Sequence, residues 1–180
     1  MSNKKTAVII ITILLVILGV FALIVRPVSI LGVSMEPSYL NGERYLSKRL
    51  SYLFSLPQRL DVVVLHYDAS PEYKVISRVI GLPGEKIMIK GGNVYVNGSQ
   101  ISESYIFTQN KTFIKNNSVV IEQGSLNKTP NLDFIKEGTE ITIPAENYFV
   151  MGDNREYSYD SRVLGFVKKE NIESKVEIKY

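Results

Sequence analysis

The chain has no cysteine and a single histidine, His66, among its 180 residues. Without thiols there is no disulfide, no cysteine nucleophile and no Cys-ligated zinc. With one imidazole, a metal centre of two or three histidines is out of reach and a Ser-His-Asp triad is hard to assemble. We therefore expect neither a metal nor a cofactor. The missing cysteines also fit a protein that works outside the cytoplasm without disulfides.

Acidic residues are absent from the first 35 positions. That stretch contains residues 6–25, TAVIIITILLVILGVFALIV, twenty in a row with neither charge nor proline. At 1.5 Å per residue such a run matches the roughly 30 Å hydrocarbon core of a bilayer. Lys4 and Lys5 precede it and Arg26 follows it, which by the positive-inside rule orients residues 1–5 to the cytoplasm. A cleavable leader has a shorter apolar region ending in a small-x-small site; Phe21-Ala22-Leu23-Ile24-Val25 offers none. The reading is an uncleaved signal anchor over 6–25, single-pass in the plasma membrane, with 27–180 as an extracytoplasmic domain. That domain carries 18 basic and 18 acidic residues. It is neutral overall and lacks the basic stripe of a nucleic-acid binder.

Beyond the anchor the pattern is of short strands and turns, and the expected fold class is mainly β. Val28-Ser29-Ile30-Leu31 is β-compatible, Asn41-Gly42 is a turn dipeptide and residues 43–48 alternate as a half-buried strand. The clearest hairpin pairs 61–67 with 73–80 around a polar turn at 68–72, both arms rich in β-branched and aromatic residues. Residues 85–90 and 94–96 alternate again. The polar stretch 99–140, with a strand-like piece at Ser118-Val119-Val120-Ile121, is least informative. It reads as a peripheral β subdomain or insertion spanning about 93–142.

Three separated segments stand out: GVSMEPS at 32–38, SRVIGLPGE at 77–85 and MGDNREYSYDSRVLGFV at 151–167. A serine among Gly and Pro is by default a turn residue. In combination, however, the three segments resemble the type I signal peptidases, in the Gram-positive-like form with one N-terminal anchor. The resemblance covers the chain from anchor to C-terminus. It implies a β-rich, membrane-anchored serine endopeptidase that removes signal peptides from secretory preproteins after small residues in an Ala-x-Ala pattern.

The family uses a Ser-Lys dyad. A serine hydroxyl is a weak nucleophile near neutral pH and must hand its proton to a base; a lysine serves when burial lowers its pKa. Ser34 matches the nucleophile. Ser158 matches the hydroxyl that positions the lysine. Asp160 and Arg162 match a structural ion pair, and Asp153 with Arg78 is expected to form another. Ile30, Met35 and Ile76 match positions lining shallow pockets for small side chains. Gly32 stands where some relatives add a hydroxyl to the oxyanion site, leaving the Ser34 backbone N–H as the natural donor.

The base position departs from the pattern: where the family has lysine before Arg-Val-Ile-Gly-Leu-Pro-Gly, this chain has Ser77. A neutral hydroxyl does not replace an amine as base. Lys74 and His66 are the candidate substitutes, although Lys74, three residues from Ser77, faces the other side of a regular strand, and His66 lies opposite or nearly opposite Lys74. Two functional readings follow: a signal peptidase with a nonstandard base, or a catalytically inactive relative that binds signal-peptide-like or pilin-like segments during secretion or pilus assembly. Expected partners are preproteins or pilin-like substrates and membrane lipid, and no nucleic acid. The autocleaving repressors share Ser-Lys chemistry but carry a DNA-binding domain where this chain has its apolar run.

Overall fold

A computed structural model describes residues 2–52, 54–68, 70–106, 112 and 134–180, with the side chains at 2–3, 20–23, 49–50 and 70–72 left aside. The N-terminal helix α1 runs Ser2–Ile24, four residues earlier at its start than the apolar run alone predicts. Its end has a local cause. Proline disfavours helical backbone in the residue before it, so Arg26-Pro27 turns the chain directly into strand β1, Val25–Ser29. β1 therefore begins three residues before the expected Val28. It is an edge strand, where a proline's missing donor is tolerated. From Ile10 at 52% to Leu15 at 63% the α1 side chains are more than half exposed. Among the described residues no helix is long and apolar enough to cross a membrane. The described side chains of α1 reach only from 4 to 19, about 24 Å of helix.

A seven-stranded sheet forms the body. After β1 come β2 (Arg44–Lys48), β3 (Val62–Tyr67) and β4 (Ser70–Gly81). Four strands, β5 (Lys86–Lys90), β6 (Asn93–Val96), β7 (Ser99–Gln100) and β8 (Ile141–Thr142), make a second, smaller sheet. The chain then returns through β9 (Asn147–Met151), a single helical turn α2 (Ser161–Leu164), β10 (Val167–Lys168) and β11 (Ile172–Lys179). The orders are β1-β2-β11-β3-β4-β9-β10 and β7-β6-β5-β8. The mainly β fold is thus observed. The second sheet draws on β5 as well as on the stretch from 93 onward, and Ser118–Ile121 lies outside the described residues.

The β3–β4 hairpin is tighter than its sequence indicates. Tyr67 pairs with Ser70 after a register shift between Leu65 and Tyr67, so part of the expected turn at 68–72 is strand. The irregularity absorbs three residues of β4 that a strict pairing would leave over, since Tyr67 would otherwise face Tyr73. Along β4 alternation sends Val75, Ser77 and Val79 to one face and Ile76 and Arg78 to the other. Val79 packs with Val63, Leu65, Tyr148 and Val150 in one core cluster. Ile76 packs against a second, built on Ile30, Met35, Tyr45, Val62 and Val64. A third, around Ile80, Ile87, Ile89, Ile143 and Phe149, joins the two sheets. Gly81 stands at that junction: a Cβ there would sit 2.3 Å from Ile143 Cδ1 and 3.2 Å from Phe149 Cβ, leaving no room for a larger residue.

Candidate active site

Ser34 sits on the loop between β1 and β2, half-buried, with Met35 next to it almost fully buried at 1% exposure. Gly32 enters the loop with φ +93°, a left-handed backbone that glycine adopts at little cost. After Ser34 the chain closes a helical turn, with Glu36 N donating to Val33 O (3.2 Å) and Tyr39 N to Met35 O (3.0 Å). The loop is fastened from outside by Asn154, whose backbone N–H donates to Ser34 O at 2.9 Å and whose Nδ2 donates to Val33 O at 3.0 Å. Among the described residues no acceptor takes the Ser34 N–H, and no hydrogen bond engages the Ser34 hydroxyl.

The 152–162 segment is held by two buried ion pairs. Asp160 caps α2, accepting from Arg162 N, and is held by Arg162 Nε and Nη2, both at 2.8 Å; it also accepts from Gly152 N at 3.1 Å. Burial alone would raise the Asp160 pKa, but the Arg162 charge and these hydrogen bonds outweigh it and hold it below the ordinary carboxylate value. Asp153 is fully buried and is gripped by Arg78 through Nε (2.7 Å) and Nη2. Burial pulls the Arg78 pKa down, and the Asp153 carboxylate overcomes that to leave it raised. The structure thus forms both of the ion pairs expected from the sequence.

Gly152 is where the segments meet. A Cβ on it would lie 2.2 Å from Ser158 Oγ and 2.5 Å from Ser34 O. Glycine therefore lets the Ser158 hydroxyl and the Ser34 loop approach the same backbone. Ser158 and Ser77 are 2% and 3% exposed. Ser77 pairs with Val63 across the hairpin, one residue along β4 from Arg78, which pairs with Met151 just before Gly152. Neither hydroxyl makes a hydrogen bond among the described residues. Ile30, Met35 and Ile76, from three parts of the chain, come together in one apolar cluster.

Lys74 and His66 converge elsewhere. Lys74 Nζ lies 2.7 Å from Glu173 Oε2 and His66 Nδ1 3.6 Å from Glu173 Oε1, with the Lys74 side chain 59% exposed. Both occupy the face of the ladder opposite Ser77.

Some residues at the site escaped the sequence reading. Arg155, 1% exposed, pairs with Glu103 at 2.6 Å, donates from Nε to Gly152 O at 3.0 Å and also donates to Thr112 Oγ1. Tyr105 lies against both Arg78 and Arg155, with ring centroid to Cζ distances of 4.2 and 5.8 Å. Arg155 directly follows Gly-Asp-Asn and was within reach of motif reading. Glu103 and Tyr105 sit in the uninformative stretch and carried no signal.

Ser34 thus stands on a loop fixed by neighbouring backbone, in a β-rich fold. Comparison with known proteins narrows the class. The sequence pattern of the family described as signal peptidase, peptidase S26, matches residues 3–180. Signal peptidase I V of Bacillus subtilis (strain 168) is 38% identical over 142 residues, 78% of this chain and 77% of its own length. Signal peptidase IB of Staphylococcus aureus (strain Mu50 / ATCC 700699) is 33% identical over 168 residues, 93% of this chain and 83% of its own. A crystal structure of a signal peptidase I from Enterococcus faecalis V583 aligns over 68% of this chain and 98% of its own, with 29% identity and a TM-score of 0.48. The chain belongs to the signal peptidase family, peptidase S26, a family of serine peptidases.

Proposed function

We propose that this protein is a membrane-anchored endopeptidase of secretory preproteins, cutting after small residues in an Ala-x-Ala pattern with Ser34 as nucleophile. The observation that carries the reading is the state of Ser34: its carbonyl is fastened by Asn154 while its hydroxyl and N–H are left unengaged among the described residues. In acyl transfer Ser34 Oγ bonds to the scissile carbonyl carbon, its proton passes to a base and on to the leaving amine, and water then releases the acyl group. The Ser34 N–H is suited to hold the developing oxyanion, and the Ile30–Met35–Ile76 cluster to wall the small side chains of the substrate. The exposed apolar length of α1 calls for lipid around it and supports a single-pass anchor with 27–180 outside the cytoplasm.

Ser77 favours a second reading, in which the chain binds signal-peptide-like or pilin-like segments without cleaving them. A serine cannot act as the base that Ser34 needs, and the two candidate substitutes, Lys74 and His66, lie beside Glu173. One experiment separates the readings: cleavage of an Ala-x-Ala preprotein by the detergent-purified protein, beside Ser34→Ala and Ser77→Lys. Cleavage by the wild type that is lost in Ser34→Ala supports the peptidase. Cleavage by Ser77→Lys alone supports the binding protein, and cleavage by none of the three removes the peptidase reading.

A further inference from the structure

Tyr105 lies between β7 and β8 of the second sheet and touches all three site segments. Its ring faces the Arg78 guanidinium at 4.2 Å, next to Ser77. Arg155, from the segment after Gly152, lies 5.8 Å from the same ring and donates from Nη2 to Tyr105 Oη at 3.3 Å. Ser38, in the loop of Ser34, donates its hydroxyl to the Tyr105 carbonyl at 3.3 Å. Glu103, two residues earlier, pairs with Arg155 at 2.6 Å and accepts from Tyr105 Oη at 3.3 Å.

We propose that Tyr105 is a positioning residue for Ser34, its ring packed between Arg78 and Arg155 and setting the two loops that meet at Gly152. The route is short. Arg78 holds Asp153, the next residue Asn154 holds the Ser34 carbonyl, and Arg155 Nε holds the Gly152 carbonyl beside Ser158. A cation over an aromatic face is attracted by the ring itself, more strongly when water is excluded. The second sheet thereby acts on the site through one side chain. The inference rests on the reading of Ser34 as the reacting group.

The test has two independent readouts. The first is backbone amide exchange in the full-length protein in detergent, followed over 32–38 and 151–158 for the wild type, Tyr105→Phe, Tyr105→Leu and Tyr105→Met. Removing the ring is expected to speed exchange of the Asn154 amide about tenfold, while Tyr105→Phe stays within about twofold of the wild type. The second readout is preprotein cleavage on a Ser77→Lys background, where Tyr105→Leu is expected to lower kcat about tenfold with KM within about twofold. Exchange in Tyr105→Leu and Tyr105→Met equal to the wild type overturns the proposal. So does Tyr105→Phe behaving like Tyr105→Leu, or an increase spread evenly over β5 and β6, since Tyr105 then supports the fold at large. If neither the wild type nor the Ser77→Lys protein cleaves, the catalytic reading fails while amide exchange still decides the role of Tyr105.

Discussion

The two faces of the β3–β4 hairpin make opposite provisions for chemistry. One carries His66 and Lys74, the hairpin's imidazole and amine, both directed to Glu173 and partly open to solvent. The other carries Ser77, buried beside the Gly152 junction where Ser158 and the Ser34 loop meet, with no amine of its own. Strand pleating alone separates them, because side chains at odd spacing emerge on opposite sides. A side chain three residues along the strand therefore emerges on the other face from Ser77.

The strongest way to break the contrast is to move an amine to the hydroxyl face. Ser77→Lys is expected to raise preprotein cleavage by roughly 10²–10⁴-fold, the range typical of a positioned general base, with Ser34→Ala on that background returning it to zero. Unchanged cleavage in the single variant would show that the two faces differ in something other than the missing base.

Next in size is the frame that holds the hydroxyl face. Asp160→Asn leaves Arg162 buried without its counter-charge, and a loss of about 3–5 kcal/mol in urea unfolding is expected. The pH dependence has a definite sign. Because folding lowers the Asp160 pKa from 3.8, its contribution is present above pH 3.8 and fades as pH falls through the folded-state value. Asp160→Asn should then flatten the acid limb of the stability profile; an unchanged limb would assign acid sensitivity to other carboxylates.

The contrast also marks what could be read without coordinates. Alternation in 61–67 and 73–80 was enough to put Lys74 and Ser77 on opposite faces, since period two is a local property of each strand. The Arg78–Asp153 and Asp160–Arg162 pairs were legible too, through the family resemblance of the motifs that carry them. Tyr105 was not, because its contacts reach 67 residues back to Ser38 and 50 forward to Arg155 and no periodicity encodes such a closure. The second sheet was blurred for a related reason: β7 and β8 are two residues each, too short for alternation to register. The earlier start of β1 follows from Pro27 and from an edge position that only the pairing with β2 reveals.

Gly152→Ala presses on the junction itself. The added methyl would meet Ser158 Oγ and the Ser34 carbonyl inside contact distance, and since the second is backbone, the Ser34 loop has to shift. Overpacking of this kind costs about 1–3 kcal/mol. On a Ser77→Lys background the same change should reduce cleavage while Gly84→Ala, strained at φ +81° but clear of any atom within 4 Å, leaves it within about twofold.

The smallest effect is expected on the face that holds the basic side chains. Lys74→Ala removes an ion pair whose lysine is 59% exposed, and such pairs contribute about 0.2–1 kcal/mol. Urea stability should fall by no more than that, less still at high salt, where exposed charges are screened. Cleavage, in the wild type or the Ser77→Lys variant, should not change, because Lys74 is tied to Glu173 on the far side of the ladder from Ser77. Cleavage lost in Lys74→Ala with stability intact would overturn this expectation: it would mean that the Lys74 amine leaves Glu173 and reaches Ser34 when substrate binds. Glu173→Ala with Lys74 intact sharpens the outcome, since freeing Lys74 from its carboxylate should raise cleavage only if the amine reaches the site at all.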